Sequence, residues 1–362
     1  MKLNFEALLD DLAKTSSPDL ILVTGEPPFT REPSGKVVPL TNVGEISAED
    51  IEGILVDVAG KEAVQLLHER KEYECAIERP KLGRFRVTFY EEIKGPALAV
   101  RRIPFHIPTP DEIGLPKNIQ ELALRHDGLI LVTGPNGHGK STTLASLVDY
   151  INANREAHIV TIEDPVEFTF KRKKSVISQR AVGINTLSFP IAVRHTLRQN
   201  VDVIVLGEMR DLETISTALT LAETGHLVLA TLHTHDAARS IERIVDVFPA
   251  GQQEQIAIQL SHSLTAIISQ RLIMRADEKG RVCAREIMLA TDGVRHAIRT
   301  RKVSELYSQI QVGRALGMIN FDESVLNLVR FGDIDPKQAI RNANDPRQMK
   351  VVLRELGYSI PE

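Results

Sequence analysis

The sequence predicts an α/β protein. A phosphate-loop domain on a parallel sheet follows a smaller α+β domain and precedes a helical region. Three observations predict this. Residues Gly134-Pro135-Asn136-Gly137-His138-Gly139-Lys140-Ser141 match G-x-x-x-x-G-K-[ST]. Around that loop, apolar β-branched runs alternate with stretches of helical period, as in a parallel sheet covered on both faces. Near Asp292 the strand signals stop and the helical ones continue.

Composition bounds the class. A chain of 362 residues has room for two or three domains, and 43% hydrophobic with 25% charged residues is ordinary for a globular protein. Aromatics are 4% and Trp is absent, so the cores must be mainly aliphatic. A net charge of −4 argues against a general nucleic-acid-binding surface. Cys75 and Cys283 form no C-x-x-C pair, so neither a structural zinc site nor a disulfide framework is expected, and a reducing compartment is. The stretch Met1 to Ser17 carries Asp10 and Asp11 and does not read as a signal peptide. No apolar run approaches the length of a membrane span.

In chain order, Phe5 to Leu12 reads as a helix and Leu20 to Val23 as a strand. Lys61 to His68 reads as a helix, and Arg84 to Phe89 as a strand with arginines on one face. Ile107 to Pro116 is proline-rich and continues neither a helix nor a central strand. The expected division is therefore an N-terminal domain over 1–106, a linker over 107–116, a nucleotide-binding domain over 117–291 and a helical region over 292–362. Leu129 to Val132 reads as a buried strand feeding the loop, and Thr142 to Ile151 as the helix after it. Val294 to Thr300, Phe321 to Val329, Pro336 to Asn342 and Pro346 to Leu356 read as helices.

The loop's chemistry follows from its residue types. Glycines let successive backbone N–H groups face phosphate oxygens, and the helix N-terminus adds about half a positive charge. Lys140 would reach the β- and γ-phosphates, the Ser141 hydroxyl would ligate Mg²⁺, and Thr142 follows in the same turn. Val201 to Leu206 is a strand ending near Glu208, at the sheet edge where parallel α/β folds collect ligands. A carboxylate there can hold hydrated Mg²⁺; a solvated strand end is the other reading. His158 to Ile162 is a further strand, running into Glu163, Asp164 and Glu167. Glu163 could act as general base towards water, against the reading of an acidic turn. His226 and His233 bracket a buried strand that would span roughly 23 Å, too far for one shared metal. His233, at the C-terminal end, could sense a γ-phosphate, and His235 reads as exposed. Arg84, Arg86, Arg101 and Arg102 cluster in the N-terminal domain, either as phosphate-neutralising arginines or as a solvated basic face.

GPNGHGKST, TIEDPVEF, DVIVLGEMRD and TGHLVLATLHT, in this order, resemble the secretion-type ATPases. Within these, the chain is similar to the type IV pilus retraction ATPases, the PilT/PilU group. SPDLILVTGEPP, RFRVTFY with AVRRIP, AARSIERIVDVFP, ISQRLI and GRVCAREIM continue the likeness, and GVRHAIRT partly resembles a motif that group needs for retraction. The resemblance implies a PAS-like N-terminal domain, a RecA-like ATPase domain and a hexameric ring in which each N-terminal domain docks on a neighbour. It implies ATP and Mg²⁺ as cofactors and twitching motility as the output. An inner-membrane pilus platform protein and a second retraction ATPase are the implied partners, with a cytoplasmic location at the inner membrane. It assigns Lys140 and Ser141 to the phosphate loop, Glu163 to an acidic box, Glu208 to Mg²⁺, His226 and His233 to a histidine box, and Arg86 and Arg101 to interdomain arginines.

The sequence departs from that pattern at His138, where the family usually has a small hydroxyl residue. It departs also at Glu91-Glu92-Ile93-Lys94, where Gln or Arg is usual, and at Ile21. Two rival functions remain at this stage. A pilus-assembly or type II secretion ATPase would usually carry an extra N-terminal domain and a four-cysteine zinc insertion, whereas two cysteines are present here. A nucleotide-switched scaffold would need neither Glu163 nor Glu208.

Overall fold

The computed structural model describes residues 3–14, 19–32, 36–40, 43–79, 82–103 and 106–360. Of the stretch read against a signal peptide, Met1, Lys2 and Thr15 to Ser17 lie outside these, as do Pro18 and Pro104 of the matched motifs. The chain forms two units. The first comprises Met1–His106 with Pro165–Thr169, and the second Ile107–Asp164 with Phe170–Glu362.

The first unit contains α1 (Phe5–Lys14), β1 (Asp19–Val23), β2 (Phe29–Arg31), β3 (Val37–Pro39), α2 (Ala48–Ala59), α3 (Lys61–Arg70), β4 (Glu72–Arg79), β5 (Gly83–Glu92) and β6 (Gly95–Ile103). Its strands form an antiparallel sheet in the order β3-β2-β1-β6-β5-β4. Alternation drives β5: Phe85, Val87 and Phe89 are fully buried against Leu9, Ile51 and Leu55, while Arg84 and Arg86 stand on the other face. Ser47 and Asp50 close a capping box at the start of α2, each side chain bonded to the other's backbone N–H.

The second unit contains α4 (Lys117–Leu122), β7 (Gly128–Thr133), α5 (Lys140–Asn154), β8 (His158–Glu163), β9 (Val176–Ala181), α6 (Phe189–Thr196), β10 (Val203–Leu206), α7 (Leu212–Glu223), β11 (Leu227–Leu232), α8 (Ala237–Asp246), α9 (Ala250–Ser263), β12 (Leu264–Met274) and β13 (Arg281–Leu289). The sheet order is β13-β12-β7-β11-β10-β8-β9. Strands β12 to β9 run parallel, so β7, β10 and β11 are buried on both faces and their sequences are continuous apolar runs. Leu129 and Leu131 enter one core with α7, α8 and α9. Ile130 and Val132 enter the other with α4 and α5.

One expectation is corrected. The sheet is not wholly parallel, because β13 folds back antiparallel on β12 through the short connection 275–280. A hairpin needs only a short turn, whereas a parallel partner would need a crossover. The segment 107–116, expected as a linker, lies in the second unit and packs as a turn there. Leu115 is 3% exposed, and the Gly114 carbonyl accepts from Arg285 Nη1 at 3.2 Å.

Beyond the sheet come α10 (Asp292–Arg299), α11 (Val303–Val312), a 3₁₀ turn (Gly313–Leu316), α12 (Phe321–Arg330), α13 (Pro336–Asn342) and α14 (Pro346–Glu355). The last three helices gather Phe321, Val325, Val329, Met349 and Leu353 over Ile273 and Ala284 of the hairpin. Asn320, Asp335 and Asp345 cap their N-termini, each accepting from backbone N–H groups of the first turn.

Candidate functional site at the carboxyl edge of the parallel sheet

Parallel strands bring their C-terminal ends to one edge. The loop after β7, Glu163 at the end of β8, Glu208 after β10 and His233 after β11 all lie there. The loop turns at glycines with positive φ, +142° at Gly134 and +83° at Gly139, which also stands at the N-cap of α5. No side chain caps that helix, leaving its first N–H groups for a ligand. Gly134 is required on two counts. Its φ disfavours any side chain, and a Cβ would lie 2.3 Å from the Gln270 carbonyl oxygen. Gly207 allows another close approach, since a Cβ there would lie 3.2 Å from Glu163 Cα.

Lys140 is 8% exposed, and its ammonium donates to the Gly134 carbonyl at 2.8 Å and the Pro135 carbonyl at 3.0 Å. It also lies 3.3 Å from His233 Nδ1. An ammonium can only donate, so Nδ1 accepts and the ring proton sits on Nε2. Nε2 then donates to Glu208 Oε2 at 3.1 Å. Glu208 also takes Arg210 Nε at 2.6 Å. His233 thus links the loop lysine to the strand-end carboxylate. Glu163 accepts from the Thr161 hydroxyl at 2.7 Å, which orients one oxygen. Ser141 is exposed at the first turn of α5, with Thr142 beside it, and Asn136 and Gly137 form the exposed loop apex.

His226 is not brought to this edge. It precedes β11, and six strand residues of about 3.3 Å each separate it from His233. Its carbonyl accepts from Gly128 N–H and its own N–H donates to Leu221 O, so it serves the α7–β11 turn. Within one chain His226 therefore lies at the opposite edge of the sheet from Lys140 and His233. His235 is exposed, as expected. Among the described residues no group of three or more His, Cys, Asp or Glu could hold a metal by itself.

Arg86 and Arg101 lie in the first unit, directly opposite each other across β5 and β6. Like charges in that position repel, and carboxylates offset the repulsion. Arg86 pairs with Glu74 and lies 3.6 Å from Glu167. Arg101 grips Asp19 with two bonds, at 2.7 and 3.2 Å. Arg102 instead donates to the Leu82 and Ala13 carbonyls on the other face.

Sequence reasoning missed the residues that brace the loop. Gln270 of β12, 2% exposed, donates to the His138 carbonyl at 2.7 Å and accepts from the Thr143 hydroxyl at 2.8 Å. Arg281 Nη1 donates to the Gly137 carbonyl at 3.1 Å. These contacts span more than a hundred residues, and nothing local signals them.

Known proteins similar to this chain identify its family. The family model described as "Type II/IV secretion system protein" matches residues 111–341. The "Twitching motility protein" of Neisseria gonorrhoeae is 46% identical over 308 residues, covering 85% of this chain and 82% of that protein. The "Type IV pilus retractation ATPase PilT" of Pseudomonas aeruginosa is 42% identical, covering 94% and 98%. A solved structure, "Crystal Structure of the Pilus Retraction Motor PilT and Bound ADP", superposes with a TM-score of 0.86 at 40% identity, covering 96% of this chain and 99% of that one. An N-terminal domain followed by a nucleotide-binding ATPase domain, with the loop, the strand-end acids and near full-length likeness to retraction motors, makes this chain a member of the type IV pilus retraction ATPases within the type II/IV secretion ATPase family.

Proposed function

We propose that this chain is a Mg²⁺-dependent, ATP-hydrolysing subunit of a hexameric motor that retracts type IV pili and drives twitching motility. The observation that carries the reading is the run Lys140–His233–Glu208 across the carboxyl edge of the sheet. It ties the group that meets phosphate to the group that would meet the metal. The donor set fits: loop glycines with positive φ, an uncapped helix start, a lysine, a hydroxyl and a carboxylate. The loop from Gly134 to Thr142 would cradle the phosphates, and Lys140 would exchange the Gly134 and Pro135 carbonyls for phosphate oxygens. Ser141 and Glu208 would hold Mg²⁺, which supplies neutralisation of phosphate charge. Glu163 would take the proton from the attacking water. His233 would report whether Lys140 is engaged.

The finer architecture belongs to the same proposal. An antiparallel sheet whose first and last strands pair at its centre supports a PAS-like first unit. A parallel sheet with a phosphate loop supports a RecA-like nucleotide domain over 117–291, with the helical region over 292–362. Arg86 and Arg101 would serve the nucleotide of a neighbouring subunit, giving up Glu74, Glu167 and Asp19 for phosphate. An inner-membrane platform protein and a second retraction ATPase are the proposed partners, on the cytoplasmic side. Among the described residues no helix is long and apolar enough to cross a membrane.

The test is enzymatic. Glu163→Gln should keep ADP binding and lose turnover by about 10²-fold or more, the range of a general base. Unchanged turnover removes Glu163 from the mechanism. Mixed rings of Arg86→Ala and Lys140→Ala subunits should regain activity, and no recovery in rings shown to be mixed refutes a shared site. Deleting the gene should raise pilus number and abolish surface motility; fewer pili would instead support an assembly ATPase.

A further inference from the structure

The apex of the phosphate loop is stapled to the β12–β13 hairpin. His138 Nδ1 accepts from the Leu272 backbone N–H at 2.9 Å, and the His138 carbonyl accepts from Gln270 Nε2 at 2.7 Å. Gln270 holds Thr143 of α5 at 2.8 Å, and Arg281 holds the Gly137 carbonyl at 3.1 Å. Three of these contacts use groups whose bonding does not change between pH 5 and 8. The fourth uses an imidazole. A backbone N–H can only donate, so the latch forms only when Nδ1 carries no proton.

We propose that His138 is a positioning residue for nucleotide binding, whose neutral ring latches the phosphate loop to β12 and whose protonation releases it. A loop held in its binding shape loses less conformational freedom when phosphate arrives, so releasing it weakens binding. The groups facing the ring oppose its protonation. Burial does most to hold His138 below its ordinary value, and Arg281 from β13, Lys140 from α5, Arg271 from β12 and His235 after β11 add to it. The sign follows. A histidine whose folded value is depressed contributes fully above pH 6.5, and the contribution is lost as pH falls through the folded value. Protonation of Nδ1 also removes the acceptor of the Leu272 N–H, so nucleotide affinity falls on the acid side with this ring.

The proposal rests on nucleotide binding at this loop, and the experiment separates the two. Affinity of the full-length protein for a fluorescent ADP analogue is measured from pH 8 to pH 5 for the parent, His138→Asn and His138→Leu. Asn places an amide oxygen where Nδ1 stands and does not titrate. Leu offers no acceptor. The parent should lose about five- to tenfold more affinity across this range than His138→Asn, the scale of one hydrogen bond. At pH 8 the Asn variant should bind more tightly than the Leu variant, which should be weak throughout. Titration of the nucleotide itself is common to all three proteins and cancels in the comparison. Parallel pH profiles for the parent and His138→Asn, or no advantage of Asn over Leu at pH 8, would overturn the latch. No ADP binding by the parent at pH 8 would overturn the nucleotide-binding reading and the latch with it.

Discussion

Glu286 of β13 offers a test in which the structure sets both sign and size. Its side chain is 2% exposed and accepts the N–H of Ala237, the first residue of α8, at 2.8 Å. The N–H of Phe321, the first residue of α12, also reaches it. One carboxyl thus ties two helix starts to the hairpin that braces the phosphate loop. Burial raises it from 4.5 to about 7, the two N–H groups only partly offset this, and Asp236 nearby adds to the rise. The folded protein therefore keeps a proton that the unfolded chain releases above pH 4.5. The stability from that proton is complete below pH 4.5 and is lost as pH rises through about 7. At about 1.4 kcal/mol per unit, the whole window is worth about 3 kcal/mol, and the part between pH 5.5 and 8 about 2 kcal/mol. Glu286→Gln keeps an acceptor for both N–H groups and cannot titrate. Urea unfolding of the parent and the variant at pH 5.5, 6.5 and 8 gives the difference in stability at each pH. That difference should move in the variant's favour by about 2 kcal/mol from pH 5.5 to 8. Parallel profiles would show that Glu286 is ionised in the folded protein throughout, and the reasoning from burial would fail.

Two further substitutions test the packing around the site. Gly134→Ala places a Cβ 2.3 Å from the Gln270 carbonyl oxygen at a φ of +142°, so ADP binding should be lost, with a lower melting temperature; normal affinity by calorimetry would refute the close approach. Arg295 of α10 donates to the carbonyls of Ala290 at 3.0 Å, His262 at 2.9 Å and Leu264 at 3.1 Å, and also to that of Ser261, closing the end of α9. Arg295→Ala should destabilise the protein by about 2–4 kcal/mol through orphaned carbonyls, and Arg295→Lys should recover only part, because an ammonium lacks the planar five-donor fork; an unchanged thermal melt in the Ala variant would sink this role.

The features readable from the chain alone are local ones. The strand, glycine loop and helix around Lys140 are legible because each depends on neighbours within a few residues: a buried apolar run, residues with free φ, then a 3.6-residue period. Glu163, Glu208 and His233 are legible for the same reason, each closing a strand whose apolar run is continuous. Tertiary structure decided which of these groups meet. His226 and His233 flank the same strand symmetrically in sequence, yet only the C-terminal one shares an edge with Lys140, because parallel pairing gives every strand end a side. The strands β4 and β6 escaped notice, since Glu72–Arg79 mixes charges with apolar residues and Gly95–Ile103 opens on Gly-Pro. The antiparallel return of β13 and the bracing of the loop by Gln270 and Arg281 were equally illegible. So was the burial of Glu286 against two helix starts. These features depend on register between segments distant in the chain, and only closure of the sheet fixes which backbone lies beside which.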